Sequence, residues 1–304
     1  MSLFEVLSDL ANRHLDEQRR ARLREVYLKT RTRLNPLLKL VNGSFDAVTL
    51  RDHLAARLGD DFTVLMVHSS MNKMAPMYTG TPLDLVRMLI DFVGPERTLV
   101  MPAFYFGDPK IGGNRATFLA NPRFDLRRTP SQMGLATELF RRTKGVVQSR
   151  HPVYRVAALG PLAAEICAGH ENADTPAGPG TPFETMYRHD ARVLGIGKPI
   201  DVLTQVHYVE DSMGLDFPAS CARREPLPVT VVVDGNTEVQ AALNGYEVAW
   251  RRDMFRLRHI LPAGIIDEWQ FHRVPMFTTR AKPLVEALFE AAGRGDTVYA
   301  PPPS

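Results

Sequence analysis

The sequence predicts an α/β fold: a mixed, largely parallel sheet flanked by helices in three layers, α/β/α. Three observations predict it. Short, continuously apolar runs recur, at residues 62–67 and 98–102 first, and strands buried on both faces look like this. Helical signals separate the runs, and strand–helix–strand alternation is the pattern of a parallel sheet with crossover helices. The 304 residues are 44% hydrophobic and 23% charged, the balance of a globular chain large enough to bury a full core.

Residues 1–45 come first and read as an appended helical arm, with 46–304 as the main domain. Leu3, Leu7, Leu10, Leu23, Leu34 and Leu37 recur at helical spacing with arginines between, and Pro36 must break or kink the run. The arm holds nine Lys/Arg against five Asp/Glu, which leaves 28 basic and 29 acidic residues for the body. A near-neutral body lacks the basic face that phosphate backbones require, so nucleic acid is not an expected partner. The arm is expected to pack on the body or on a second subunit, making a homo-oligomer. No apolar run reaches the roughly 18 residues of a membrane span. The start, Met1-Ser2-Leu3-Phe4-Glu5, lacks the basic-then-apolar order of a signal peptide. The expectation is a cytoplasmic protein with no membrane partner. Its two cysteines, Cys167 and Cys221, are too few for a disulfide scaffold or a zinc site, so no metal is expected and both read as small buried residues.

Thr49-Leu50-Arg51-Asp52 reads as a capping box for a helix that stops at Gly59. The strand at 62–67 then runs out into His68-Ser69-Ser70-Met71. Thr81 and Pro82 open the next helix as N-cap and first-turn proline. After Gly94-Pro95 the strand at 98–102 leads into a loop with Gly107 and Gly112-Gly113. In open α/β sheets ligands gather beyond the carboxyl ends of the strands. That rule puts His68-Ser69-Ser70 and the loop after Pro102 near a site. A helix at 135–142 follows Thr129-Pro130-Ser131-Gln132-Met133-Gly134. Its N-terminus, with two hydroxyls and nearby arginines, reads as a cradle for a phosphate or pyrophosphate. Ser149-Arg150-His151-Pro152 precedes a strand at 155–160, and a rigid Gly/Pro loop at 178–183 precedes the strand at 192–197. Residues 227–233 and 238–243 flank Asp234-Gly235 as a C-terminal hairpin. A helix at 283–292 comes last.

The chemistry-bearing stretch is Thr204-Gln205-Val206-His207-Tyr208-Val209-Glu210. On a helix, i and i+3 positions are neighbours, so Thr204, His207 and Glu210 would share one face. A histidine with a carboxylate in reach is the simplest general base. His68 and His151 fall near strand ends that face the same region, and His170 is the nearest of the remaining histidines.

These stretches, in order, resemble the aminoglycoside 3-N-acetyltransferase family. The matching pieces are Val67-His68-Ser69-Ser70-Met71, Thr98-Leu99-Val100-Met101-Pro102, Phe124-Asp125 with the 129–134 run, and Ser149-Arg150-His151-Pro152. Ala157-Ala158-Leu159-Gly160, Gly178-Pro179-Gly180-Thr181-Pro182-Phe183, Val193-Leu194-Gly195-Ile196-Gly197 and the 204–210 stretch complete the set. The likeness covers about residues 48–290.

The resemblance implies transfer of an acetyl group from acetyl-CoA, as co-substrate, to an amine of a sugar-like acceptor, with His207 as the general base. It implies a supporting acid after the hairpin, where Glu247 is the first candidate and Asp253 the second. It implies that the segments of Ser69, Ser70, Met71, Thr129, Ser131, Met133 and Gly134 hold CoA, and His68 and His151 join this set by position. Aminolysis of a thioester needs a deprotonated amine and a place for the oxyanion, but neither a metal nor a covalent enzyme nucleophile. Two departures stand out: Arg155 replaces the serine of many relatives, and the loop over 248–252 is poor in carboxylates. A polycationic drug calls for an acidic cleft, so an amino sugar, a sugar nucleotide or a carrier-bound intermediate is the better acceptor. The alternative is a catalytically silent CoA- or nucleotide-binding partner protein, against which His207 and Glu210 weigh. A phosphoryl transferase would need a P-loop or a paired-carboxylate magnesium site, and neither signature is present.

Overall fold

A computed structural model describes residues 35–219 and 221–300. Most of the arm expected over 1–45 therefore lies outside the described residues. Within it, 35–42 are helical, and Phe45 already belongs to the body. Phe45 is 2% exposed, bridges to Tyr78 and packs on Phe271 at 4.9 Å between ring centroids.

The sheet has seven strands: β1 (Val64–Ser69), β2 (Thr98–Pro102), β3 (Val147–Gln148), β4 (Val156–Leu159), β5 (Arg192–Ile196), β6 (Ile266–Phe271) and β7 (Val274–Arg280). Their spatial order is β6-β7-β5-β1-β2-β4-β3. β1 runs parallel to β2 and to β5, and the other four neighbouring pairs are antiparallel. The sheet is mixed, as expected, but parallel pairing is confined to its centre rather than prevailing. The reason is that β6 and β7 form a tight hairpin, and β4 returns beside β2 without the parallel crossover that the alternation implied.

Every residue of β1 and β2 is buried, and the strand period decides what each face meets. Val64 and Met66 point into one core with Phe183, Val206, Val209, Leu284 and Val285. Leu65 and Val67 point into the other with Leu50, Leu54, Leu85, Leu89 and Phe140. The helices Pro182–Arg188, Val206–Met213 and Ala281–Gly293 thus cover one face, and Ala47–Leu58, Pro82–Val93 and Leu135–Phe140 cover the other. These are the three layers. Beside them, the hairpin Leu227–Val232/Glu238–Leu243 pairs with Arg123–Asp125 over a third, smaller core. Among the described residues no helix is long and apolar enough to cross a membrane.

Two helix starts show local chemistry at work. Thr81 and Asp84 form the full capping box. At Ala47–Leu58 the cap is Asp46 rather than Thr49: its carboxylate accepts from the Thr49 N–H at 2.9 Å and from the Thr49 hydroxyl at 2.8 Å. The helix therefore starts three residues earlier than the box read at Thr49–Asp52, and Thr49 becomes the residue that the cap satisfies.

Arg155 is fully buried. Its guanidinium donates to the carbonyls of Ala103 at 2.7 Å, Leu126 at 2.9 Å and Thr129 at 2.7 Å, and it lies over the Phe124 ring. Burial pushes its pKa down to about 9. A serine could not reach three carbonyls, so this residue pins the 126–129 segment to the chain just beyond β2. Arg155→Met should cost about 2–4 kcal/mol, because two buried carbonyls and a half-buried one lose a charged donor. Urea unfolding measures this, and a loss under about 1 kcal/mol would show that the segment holds without it.

Candidate active site

The helix Val206–Met213 buries Val206, Tyr208 and Val209. That leaves His207, Glu210, Asp211 and, just past its end, Gly214 on a stripe with 3–4 spacing, and all four line a cavity of about 370 Å³. His207 Nδ1 lies 2.9 Å from Glu210 Oε2, so the i, i+3 contact forms. Thr204 does not join it. Thr204 precedes the helix, its carbonyl accepts the His207 N–H at 3.0 Å, and its hydroxyl lies 3.4 Å from His68 Nε2.

Arg252 completes the group. It comes from the two-residue strand Arg251–Arg252, paired with Tyr299–Ala300. Its Nη1 is 3.1 Å from His207 Nε2 and its Nη2 is 2.5 Å from Glu210 Oε2, and it also donates to the Tyr299 hydroxyl. Tyr154 presents its ring perpendicular to the His207 ring at 5.5 Å. Burial, followed by the Arg252 charge, lowers the His207 pKa below its ordinary value, and Glu210 opposes that shift. Burial alone would raise the Glu210 carboxyl, but His207 and Arg252 outweigh it and hold it low. The imidazole is therefore neutral near pH 7 beside an ionised carboxylate. In that state Nδ1 carries the proton toward Glu210, and the lone pair sits on Nε2, where Arg252 donates. Burial pushes the Asp211 carboxyl up to about 7, although it accepts the Ala177 N–H at 2.8 Å.

The structure places both candidate acids after the hairpin away from His207. Glu247 is 68% exposed at its side chain and sits 3.7 Å from Arg224. Its neighbours Tyr246 and Val248 line the cavity, so strand alternation turns Glu247 the other way. Asp253 caps the turn Met254–Arg256, accepting the Phe255 N–H at 3.0 Å. Neither reaches His207; Glu210 does. Tyr154, Tyr299, Asp211 and Trp250 also line the cavity without having been singled out. Only Asp211 had a signal, since it lies four residues after His207 on the same helical stripe. Cys221 is half-buried in the cavity wall rather than fully buried, and burial raises its thiol pKa.

His68 is 5% exposed, and burial, followed by Lys198, pushes its pKa down to about 3. His151 lines the cavity. Its Nδ1 accepts the N–H groups of Val153 at 3.1 Å and Tyr154 at 2.9 Å, which leaves the proton on Nε2. It stacks on His170 at 4.7 Å, and burial, with His170, lowers its pKa well below the ordinary value. Both are neutral, fixed groups.

Apart from His151, the residues assigned to CoA are not among those that line the His207 cavity. Ser69, Ser70 and Met71 sit at the carboxyl end of β1, where the Ser70 N–H donates to Ile196 at 2.9 Å. Opposite them, Gly197 has φ +67, and a Cβ there would come within 2.8 Å of the Ser70 carbonyl; only glycine allows this approach. Ser131 Oγ accepts the Met133 N–H at 3.1 Å, and Met133 packs against the same core as Tyr154. The expected phosphate cradle is partly filled from within. The Ser131 N–H donates to Glu138 Oε2 at 2.8 Å, and although burial would raise the Glu138 carboxyl, Arg141, this N–H and Arg142 hold it at about 2. The anion at this six-residue helix is its own glutamate. The Thr129 carbonyl is held by Arg155, and Gly134, with φ +102, has open space where a Cβ would be.

Comparison with known proteins agrees with this architecture. A family model described as aminoglycoside 3-N-acetyltransferase matches residues 66–292. Aminoglycoside N(3)-acetyltransferase IX of Micromonospora chalcea is 33% identical over 186 residues, covering 57% of this chain and 65% of that protein. Aminoglycoside N(3)-acetyltransferase VII of Streptomyces paromomycinus is 34% identical over 184 residues, covering 57% and 63%. The chain thus spans just under two thirds of the length of these relatives. The crystal structure of aminoglycoside acetyltransferase AAC(3)-IIb superposes with a TM-score of 0.68 at 22% identity, covering 85% of this chain and 100% of that one. AAC-IIIb in binary complex with CoASH superposes at 0.66 and 21%, covering 84% and 99%. Both share the fold. With the family model matched from β1 to the end of the Ala281–Gly293 helix, the chain belongs to the aminoglycoside 3-N-acetyltransferase family.

Proposed function

We propose that the protein transfers an acetyl group from acetyl-CoA to an amine of a small acceptor, with His207 as the general base. The observation that carries this reading is the His207–Glu210 pair on the wall of a cavity: a neutral imidazole whose Nδ1 proton is held at 2.9 Å by a carboxylate. Relatives named as aminoglycoside N(3)-acetyltransferases, and a structural neighbour titled as a CoASH complex, point to the same chemistry.

Acetyl-CoA supplies an electrophilic thioester and a sulfur leaving group. The acceptor amine replaces Arg252 Nη1 at His207 Nε2 and gives its proton there as it attacks the thioester carbonyl. The C–N bond forms, the C–S bond breaks, and the proton passes from Nε2 to the departing sulfur. Glu210 stabilises the transient imidazolium and holds the tautomer that leaves Nε2 free. Arg252 stays tied to Glu210 and Tyr299 while its other nitrogen yields. Ser69, Ser70 and Met71 at the end of β1, with Thr129, Ser131, Met133 and Gly134, form the CoA side. In support of that assignment, Ser70 Oγ and Ser131 Oγ each accept a backbone N–H and keep their own O–H to donate to a phosphate or amide oxygen.

Binding can be tested apart from chemistry. Acetyl-CoA at about 100 times its Kd should stabilise the fold by about 2.7 kcal/mol and raise the melting temperature accordingly. No shift at millimolar CoA would remove the CoA side of the proposal. A shift without thiol release from any amine would favour a silent binding protein instead.

A further inference from the structure

Three guanidinium groups line the His207 cavity, those of Arg115, Arg224 and Arg252, against two carboxylates, those of Glu210 and Asp211. The carboxylates are not available as a counter-field for a cationic ligand. Glu210 is tied to Arg252 at 2.5 Å, and burial holds the Asp211 carboxyl up at about 7, so much of it is uncharged at neutral pH. Arg252 is used by the His207 group. Arg115 and Arg224 are not.

Arg115 and Arg224 also line the adjoining cleft with Gly112, Gly113, Glu225 and Glu247, so they stand on the wall that the two spaces share. Arg115 is held in place by its own bond, Nη1 to the Glu225 carbonyl at 3.0 Å. Arg224 is anchored through its backbone N–H to Gly245 at 2.9 Å, and its buried Nε has no hydrogen-bond partner. The acid nearest that same Nε is Glu247, whose Oε2 lies 3.7 Å away, beyond hydrogen-bond reach, on a side chain 68% exposed, a loose contact of little worth. One guanidinium fixed by a backbone carbonyl and a second whose Nε–H has no hydrogen-bond partner are donors that a carboxylate or phosphate can use. On the opposite side of the balance, a ligand bearing several ammonium groups would meet three arginines.

We propose that the acceptor is an amine that also carries an oxyanion, a carboxylate or a phosphate, bound by Arg115 and Arg224 while its amine meets His207. This rests on the acetyl-transfer reading and names the substrate class of that site. The CoA phosphates share the same chemistry, so the test must separate the two sources.

The test measures thiol release from acetyl-CoA with matched acceptors: glucosamine against glucosamine 6-phosphate, galactosaminuronic acid against its methyl ester, and kanamycin as the polycation. The expected result is a kcat/KM at least about tenfold higher for an anionic member than for its neutral partner, weakening as salt rises. Arg115→Gln and Arg224→Gln should each remove most of that preference through the KM of the anionic acceptor, leaving the KM of acetyl-CoA in place. Equal rates within both pairs, a preference for kanamycin, or a loss that falls on acetyl-CoA instead would overturn the proposal. If no acceptor releases thiol, the acetyl-transfer reading fails separately. Calorimetry with the same acceptors and CoA present then decides: tighter binding of an anionic member that Arg224→Gln abolishes supports the oxyanion site, and equal or undetectable binding of both members overturns it.

Discussion

Replacing His207 with alanine should lower turnover by about 10²- to 10⁴-fold, the usual contribution of a positioned general base, with little change in acetyl-CoA affinity. The imidazole is the one neutral base on the cavity stripe whose Nε2 lone pair is not held by a backbone N–H. His151 spends its Nδ1 lone pair on Val153 and Tyr154, and His68 faces Thr204 from a fully buried strand end. His207→Gln keeps a hydrogen-bonding group without a useful base and should be nearly as slow. The Glu210–Arg252 pair survives either change, so the fold should hold. Near-normal turnover in His207→Ala would move the search to His68 and His151.

Glu210→Gln should cost about 10- to 100-fold, less than loss of the base itself, since the glutamine carbonyl can still take the Nδ1 proton but no longer stabilises an imidazolium. The sign of the pH effect follows from the two neighbours. Glu210 raises the His207 pKa and Arg252 lowers it. Removing the carboxylate therefore lowers the imidazole pKa further and moves its limb of the rate profile to lower pH. Arg252→Gln should move that limb to higher pH. Rate profiles of the two variants check this, and a shift in the same direction for both would contradict the assignment of Glu210 and Arg252 as opposed influences.

How much of this was legible depended on whether the signal was local. β1 and β2 announce themselves because all their side chains are buried, and Thr81 with Asp84 carries its cap within four residues. The His207–Glu210 contact follows from helical spacing alone. The β6–β7 hairpin does not show in the sequence. Its turn residues, His272 and Arg273, take φ +49 and +61 where Asn-Gly is the usual signal, and Pro275 disguises the inner strand. Glu247 faces away from His207 by parity, because one residue along a strand is the opposite face. Arg252 and Tyr299 meet across 47 positions through a two-residue bridge, and no local pattern encodes that. The arginines of the cavity come from three separate stretches, a helix, a loop and a two-residue strand, so its charge is a property of the topology and not of any one of them.

The most direct test of the central claim is the slope of log kcat/KM against pH on the acidic side, for wild type and His207→Ala with one good amine acceptor. Two groups must lose a proton before reaction, the acceptor amine and His207, whose pKa lies below the ordinary 6.5. The wild type should therefore fall with a slope approaching about two at low pH, and His207→Ala with a slope of about one, set by the amine alone. The same limiting slope and the same break points in both proteins would contradict His207 as the base.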